Sequence, residues 1–120
     1  GDGAYMDDEG YIYLKGRLTR EIKILGKRVS LDDIDSILVN KFPDIEFSCI
    51  GKEDHIDIFC SGVENGIDKE ILLLLDRSIK IPKNLISVVY LEKIPRNSAG
   101  KVMYARLAEL VNERKNIEVM

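Results

Sequence analysis

Two stretches of this sequence contain residue types and spacings that could do chemistry, and one lies near the carboxyl end. Residues 94–101, Ile-Pro-Arg-Asn-Ser-Ala-Gly-Lys, form a polar loop that ends in Lys101, just before a predicted helix. A lysine ammonium is a compact positive charge, suited to a carboxylate or phosphate oxygen on which negative charge develops. The spacing is not that of a P-loop. Taken alone, the loop favours a solvated surface lysine, because most surface lysines take no part in chemistry.

The second stretch covers residues 16–30 and contains two short extended runs that are joined at a glycine. The runs, Glu21–Ile24 and Arg28–Ser30, meet at Gly26. A glycine in such a corner supplies a positive φ or lets another molecule approach the backbone closely. Arg17 follows a glycine ahead of this corner, so a cation lies where the chain could change direction.

Three aspartates that follow Ser30 look at first sight like a cluster of catalytic carboxylates. Asp32, Asp33 and Asp35 lie in the first turns of a predicted helix, where acidic side chains face the positive end of the helix dipole. Ser30 fits the N-cap position, and Asp33 completes a capping box with it. Helix capping and a solvated face therefore explain this cluster better than acid–base catalysis does.

The cysteines and the single histidine give no sign of a metal site. Cys49 and Cys60 lack metal-ligand spacing, so we expect two buried thiols in a reducing cytosol. His55 lies at the start of a predicted strand, and the sequence does not indicate carboxylates that would share a metal ion with it. We expect an exposed, ordinary histidine rather than a general base, and no bound metal.

The bulk composition narrows the classes of function. The 120 residues fit one domain of ordinary size, with 45% apolar and 32% charged residues. A net charge of −3 argues against a protein devoted to nucleic acid, which needs a basic face to bind phosphates. No apolar run approaches the roughly 20 residues that span a bilayer. We therefore expect neither a nucleic-acid partner nor a membrane span.

The remaining pattern predicts a small domain of strands and helices. The predicted strands are 4–6, 11–14, 21–24, 28–30, 45–50, 55–60 and 86–91, and the predicted helices are 31–42, 68–79 and 102–113, before a fraying tail over 115–120. Asp68 is expected to cap the second helix, and Ile56, Ile58 and Cys60 are expected on one face of their strand. The order predicts an α+β fold: a small, mostly antiparallel sheet with three covering helices plus an N-terminal β-hairpin.

Several short motifs occur in one order along the chain, and together they are more specific than any of them alone. They are Gly1-Asp2, Gly10-Tyr11, Gly16-Arg17, the run from Ile22 to Val29, and the run from Ile94 to Val102 followed by Leu107. From Gly1 to about Leu110 the chain resembles the C-terminal portion of the adenylate-forming superfamily. That superfamily includes acyl-CoA synthetases, adenylation domains of nonribosomal peptide synthetases, carrier-protein ligases and beetle luciferases.

The resemblance implies two half-reactions and a role for three residues in the first. A carboxylate attacks the α-phosphate of ATP to give an acyl-adenylate and pyrophosphate, and a pantetheine thiol then displaces AMP. Lys101 matches the catalytic lysine of adenylation, where it would bridge the carboxylate and the α-phosphate. Asp2 matches the aspartate that accepts hydrogen bonds from the ribose hydroxyls, and Arg17 matches the arginine that reaches the ribose or phosphate.

The resemblance also implies that a small C-terminal domain rotates between the half-reactions. Thr19 falls on the hinge position, where the family usually has Asp or Lys, and rotation needs no particular charge there. Gly26 falls on the glycine that lines the pantetheine tunnel, where a side chain would block the passage. The resemblance also places Lys23 at the pantetheine tunnel, on the same hairpin, which turns inward in the thioester-forming state. Tyr104 stands where many members have Arg, which weakens any assignment to a subfamily.

The expected domains and partners follow from the same resemblance. Residues 1–17 would be terminal strands of an upstream large domain and the lead-in to the hinge, and residues 18–120 the mobile C-terminal domain. ATP with Mg would bind mainly to the upstream domain, and CoA or the phosphopantetheine of an acyl carrier protein would supply the thiol. We therefore expect an AMP-forming acid–thiol ligase acting on a carboxylic acid, with residues 1–120 inactive on their own. The alternative is a non-catalytic interaction module that docks a carrier protein or a nucleotide-linked partner.

Overall fold

The computed structural model describes residues 4–6, 12–14, 17–18, 20–62 and 66–119, with side chains over 20–62 and 66–112. The chain divides into two compact units, each described by itself below. Unit 1 contains residues 1–19 and 95–120, and unit 2 contains residues 20–94. The predicted domain boundary between residues 17 and 18 stays a prediction.

The described residues confirm the predicted α+β class. In chain order the elements are β1 (Ala4–Met6), β2 (Ile12–Leu14), β3 (Arg17–Leu18), β4 (Glu21–Ile24), β5 (Lys27–Ser30), α1 (Leu31–Lys41), β6 (Glu46–Lys52), β7 (His55–Ser61), α2 (Asp68–Ile79), a 3-10 turn (Lys83–Leu85), β8 (Ile86–Leu91) and α3 (Tyr104–Val119). In unit 1, β1 and β2 form the predicted N-terminal hairpin, and β3 adds a third antiparallel strand.

The last helix of unit 1 is longer than predicted. The predicted end at Glu113 is wrong, because α3 continues to Val119 through residues that were expected to fray. Leu107, Ala108 and Val111 on this helix are buried. None of the helices in the described part of the chain is both long and apolar enough to cross a membrane.

Unit 2 contains a β-hairpin and a three-stranded sheet. Strands β4 and β5 form the hairpin, and β6, β7 and β8 form the sheet in that order. The predicted antiparallel pairing of β6 with β7 is confirmed, with Cys49 opposite Ile58. Strand β8 pairs parallel with β7, because α2 crosses over between them and returns the chain in the same direction.

One face of this sheet supports the core of unit 2. The predicted inward residues Ile56, Ile58 and Cys60 are all fully buried. They share one cluster with buried side chains of the hairpin and both helices, namely Ile22, Ile24, Leu31, Ile34, Leu38, Ile71 and Leu75. Each large aliphatic side chain in such a core stabilises the fold by about 1.5–3 kcal/mol. The hairpin is therefore part of the core rather than an appendage.

Helix α1 begins as the sequence predicts. Ser30 lies at the N-cap, and its hydroxyl accepts a hydrogen bond from the Asp33 amide at 3.3 Å. The helix ends at Lys41, where the amide of Phe42 still donates to the carbonyl of Leu38 at 2.8 Å before Pro43. The capping interpretation of this segment is confirmed.

Helix α2 has the predicted range but a different cap. The predicted cap at Asp68 is wrong: Asp68 is the first helical residue, and Ile67 at the N-cap forms no side-chain cap. The hydroxyl of Tyr90 in β8 accepts hydrogen bonds from the amides of Ile67 at 3.1 Å and Asp68 at 3.0 Å. A side chain distant in sequence thus replaces the local cap, which no reading of residues 66–70 could have shown.

Candidate functional site

The segment that contains Lys101 is a closed turn rather than an open loop. Arg96 and Val102 form an antiparallel bridge, and the Asn97 amide donates to the Lys101 carbonyl at 2.9 Å. Gly100 lies inside the turn with a φ of 82°, a value that favours glycine, and its amide donates to the Asn97 carbonyl at 2.9 Å. The backbone of Lys101 is therefore fixed by its own segment.

The side chain of Asn97 holds this turn together. Its Oδ1 accepts hydrogen bonds from the amides of Ala99 at 2.9 Å and Lys101 at 3.1 Å. Arg96 adds a hydrogen bond from Nη1 to the Gly100 carbonyl at 2.8 Å. The sequence predicted no role for Asn97, although asparagine side chains typically accept backbone hydrogen bonds in local turns.

Lys101 itself is exposed, as its proposed chemistry requires. Within the described residues, no carboxylate or carbonyl forms an ion pair or a hydrogen bond with its ammonium. A fixed backbone combined with an uncommitted positive charge suits the binding of an external anion such as a carboxylate or a phosphate.

The β4–β5 hairpin carries the second set of predicted residues. Leu25 and Gly26 form its two-residue turn with φ values of 52° and 80°, as in a type I′ turn. A Cβ added at Gly26 would meet no atom within 4 Å in this structure, so its positive φ is the observed need for glycine. Lys23 points outward, and Leu25 exposes 62% of its surface. The tip is thus an open surface with two exposed lysines, Lys23 and Lys27, and one apolar side chain.

A second loop supports the tip of this hairpin. The Asp54 carboxylate accepts a hydrogen bond from the Leu25 amide at 2.6 Å, and the Asp54 amide donates to the Lys23 carbonyl at 2.9 Å. Asp54 lies in the turn between β6 and β7, far from the hairpin in sequence. The sequence predicts Asp54 only as a turn residue, since the pairing of two turns leaves no local pattern.

The aspartates that look like catalytic carboxylates belong largely to an arginine cluster. Arg20 forms ion pairs with Asp35 through Nη2 at 2.7 Å and with Asp32 through Nε at 3.1 Å, and Nη1 donates to the Cys49 carbonyl. Asp35 is only 24% exposed, so the predicted solvated face is wrong at this position. Arg20 begins unit 2, and the cluster ties this first residue to α1 and β6.

Burial dominates the ionisation of this cluster. Loss of solvation raises the pKa of Asp35 above its usual value, although the neighbouring Cys49 side chain and the charge of Arg20 oppose the shift. Burial also raises the pKa of the Cys49 thiol well above its usual value, and the neighbouring charge of Asp35 adds to that shift. Both cysteines are free and buried, as predicted. A protonated, inaccessible thiol is not a nucleophile.

His55 is not the exposed histidine that the sequence predicts. Its side chain is 25% exposed, and its Nε2 lies 3.1 Å from Asp57 Oδ1 and 3.3 Å from Ser87 Oγ. The parallel pairing of β8 with β7 sets Ser87 beside Asp57, which explains the difference. Both partners contact the same ring nitrogen, whereas a catalytic Ser-His-Asp relay needs one partner at each nitrogen.

The other predicted site residues are only partly described. Asp2 and Thr19 lie outside the described residues, and Arg17 is described only as a member of β3, without its side chain. Lys101 and Arg17 belong to unit 1, whereas Lys23 and Gly26 belong to unit 2. In the described part of the chain, no group of three or more His, Cys, Asp or Glu residues could hold a metal ion.

Comparison with known proteins gives consistent relatives. The acetyl-coenzyme A synthetase of Phycomyces blakesleeanus is 30% identical over 93% of this chain, and the mitochondrial acyl-CoA synthetase short-chain family member 3 of Rattus norvegicus is 27% identical over 92%. The chain spans 18% of the length of both. No family model matches the chain.

Solved structures share the fold. An acyl-CoA synthetase from Brucella canis superposes with a TM-score of 0.67 at 20% identity, over 93% of this chain and 22% of that one. At this identity the likeness supports the fold alone. The sequence relatives show the family, because the match to an acetyl-coenzyme A synthetase reaches 30% identity over 93% of this chain. The matched segment is the C-terminal part of each relative. The chain therefore belongs to the adenylate-forming superfamily and corresponds to the C-terminal domain of its members.

Proposed function

We propose that this chain is the C-terminal part of an ATP-dependent, AMP-forming acid–thiol ligase. The enzyme activates a carboxylic acid as an acyl-adenylate and transfers the acyl group to a pantetheine thiol, on CoA or on an acyl carrier protein. The relationship to acetyl-CoA and acyl-CoA synthetases supports the reaction class. The single observation that carries the proposal is the exposed ammonium of Lys101, which pairs with none of the described residues, on a hydrogen-bonded turn.

Lys101 acts in the adenylation half-reaction. Its ammonium lies between the carboxylate of the acid and the α-phosphate of ATP, two anions that repel each other as they approach. A positive charge between them offsets the negative charge that grows on the phosphate oxygens in the transition state. The closed turn fixes the start of the lysine side chain, so no backbone freedom of Lys101 has to be lost when the anions bind. Arg17 and Asp2 complete the contacts to the nucleotide.

The β4–β5 hairpin acts in the thiol-transfer half-reaction. Its tip offers Gly26 without a side chain and the exposed Lys23 beside it, and a narrow pantetheine arm fits along such a surface. The domain turns about Thr19 between the two half-reactions. ATP with its Mg is held mainly by the upstream domain, since the 120 residues contain no phosphate-binding loop of their own. We therefore expect residues 1–120 alone to show no acid-dependent exchange of pyrophosphate into ATP.

Separate assays of the two half-reactions test this proposal on the complete gene product. Lys101→Ala should reduce pyrophosphate exchange by roughly a hundredfold to a thousandfold, the usual cost of removing one group that stabilises transition-state charge. Thioester formation from supplied acyl-adenylate should stay within a few fold of wild type. Lys93→Ala, at an exposed lysine eight residues earlier in the sequence, is the matched control and should change neither rate.

The outcomes separate the candidate functions. If Lys101→Ala leaves exchange intact, Lys101 is an ordinary surface residue and its catalytic role is wrong. If the wild-type protein performs neither half-reaction with any carboxylic acid tested, the ligase proposal fails and the non-catalytic docking module remains.

A further inference from the structure

The turn of the β4–β5 hairpin has a backbone conformation that must be held by something other than its own sequence. Leu25 has a φ of 52°, in the left-handed region that a leucine rarely occupies. The usual residues of a type I′ turn are Asn-Gly or Asp-Gly, whose side chains tolerate this conformation. A Leu-Gly turn lacks that local preference, so contacts from outside the hairpin contribute to its geometry.

Asp54 supplies two of those contacts from the β6–β7 turn. Its carboxylate accepts a hydrogen bond from the Leu25 amide at 2.6 Å. Its own amide donates to the Lys23 carbonyl at 2.9 Å. The two bonds fix the backbone on either side of Ile24, directly before the turn. Asp54 itself has a φ of 57°, which aspartate tolerates better than most residues.

The side chain of Ile22 in strand β4 also packs closely over Gly51 of the β6–β7 hairpin. A Cβ added at Gly51 would come within 2.6 Å of Ile22 Cδ1 and 3.0 Å of the His55 carbonyl oxygen. Only glycine at this position allows Ile22 to pack so closely. Two contacts therefore hold the β4–β5 hairpin against the β6–β7 hairpin. Ile22 in strand β4 packs over Gly51, and Asp54 forms hydrogen bonds at the hairpin tip.

We propose that Asp54 is the positioning residue that holds the hairpin tip in the shape needed for thiol transfer, an inference that rests on the proposed function. Asp54 does not touch the substrates. It acts through the backbone of residues 23–25, which sets the direction of the Lys23 side chain and the path of the chain at Gly26. The nucleotide half-reaction does not use this tip, so the effect of Asp54 falls on one half-reaction only.

Three variants of the complete gene product test the inference. Asp54→Gly removes the carboxylate and keeps the positive φ without strain. Asp54→Asn keeps an oxygen acceptor for the Leu25 amide. Glu53→Gln changes a neighbouring exposed carboxylate that forms no hydrogen bond or ion pair with any described residue. Since Asp54 lies at the surface, outside the core, all three should fold.

We expect Asp54→Gly to slow thioester formation from supplied acyl-adenylate by roughly tenfold, because a misplaced binding group costs at least that much. Pyrophosphate exchange should stay within twofold of wild type. Asp54→Asn should recover most of the lost rate, and Glu53→Gln should match wild type in both assays. Amide hydrogen exchange at Leu25 should be faster in Asp54→Gly than in wild type.

The inference is overturned if Asp54→Gly forms thioester at the wild-type rate, or if both half-reactions fall equally, which indicates general destabilisation. A wild-type enzyme without either half-reaction overturns the proposed function as well. If the wild-type enzyme is inactive and amide hydrogen exchange at Leu25 is unchanged in Asp54→Gly, the hydrogen bond from Leu25 to Asp54 does not stabilise the hairpin tip. If amide hydrogen exchange at Leu25 is faster in Asp54→Gly, Asp54 does hold the hairpin tip, but in a module with another role. The inferred role of Asp54 in thiol transfer is then wrong.

Discussion

The β4–β5 hairpin and the turn around Lys101 present their functional residues in opposite ways. The hairpin turn is held from outside, by Asp54 of a distant turn and by core packing of Ile22. The Lys101 turn is held from inside, by Asn97 four residues earlier. Local support makes a segment independent of the rest of its domain, whereas remote support makes it depend on the fold of the whole unit. The two proposed half-reactions should therefore respond to different mutations.

The largest expected effect comes from a variant that removes the Asn97 side chain from the turn around Lys101. Asn97→Ala removes the acceptor for the Ala99 and Lys101 amides, so the backbone of Lys101 is held less firmly, by its backbone hydrogen bonds and Arg96 alone. We expect pyrophosphate exchange to fall by roughly a hundredfold, as for a catalytic group displaced by about 1 Å. Thioester formation from supplied acyl-adenylate should stay within twofold. Ser98→Ala, in the same turn, is the control and should leave both rates unchanged.

An intermediate effect separates backbone strain from function in the hairpin. Gly26 and Gly66 both have positive φ values, of 80° and 94°, and an added Cβ meets nothing within 4 Å at either position. Gly26→Ala and Gly66→Ala should therefore each lower the free energy of unfolding by a similar amount, about 1–2 kcal/mol. Only Gly26→Ala should also slow thioester formation, by roughly tenfold. Equal thioester rates in the two variants would contradict a role for the hairpin tip in thiol transfer.

The smallest expected effect is a pH dependence of the free energy of unfolding that comes from a buried thiol in unit 2. Burial raises the pKa of the Cys60 thiol from 9.0 to about 11. Between these values the unfolded chain loses the proton while the folded chain keeps it, so the free energy of unfolding falls as pH rises above about 9. Urea titrations at pH 8 and pH 10 should show a smaller loss for Cys60→Ala than for wild type. Both cysteines of the sequence lie in unit 2, so unit 1 has no thiol to contribute. An identical pH dependence in both proteins would show that Cys60 is not the cause.

The sequence predicted those elements whose signals are local. Ser30 and the apolar spacing that follows it determine α1, and the alternation of apolar residues determines β6 and β7. The α+β class and the superfamily followed from these patterns and from the ordered motifs. The predicted turn at Gly26 is confirmed, with Leu25 as its partner.

The sequence could not predict contacts between segments that are far apart. Three such contacts join different elements: Arg20 with Asp35, Asp54 with Leu25, and His55 with Ser87. In each pair, the sequence around one residue does not indicate which residue will contact it. Asp35 was assigned to a solvated face because helical periodicity does not show which neighbour covers it. The roles of Asp2, Arg17 and Thr19 remain predictions, since they depend on the resemblance alone.

The cap of helix α2 is supplied by Tyr90 of strand β8, a residue that is synthesised after the helix. Tyr90 receives the amides of Ile67 and Asp68, yet it follows them by more than 20 residues. During synthesis α2 leaves the ribosome before the residue that caps it, and the cap forms only when β8 reaches its parallel place beside β7. Helix α2 and strand β8 therefore gain their final structure together. Local opening of β8 exposes the first turn of α2, so the two should exchange their amide hydrogens as one cooperative unit.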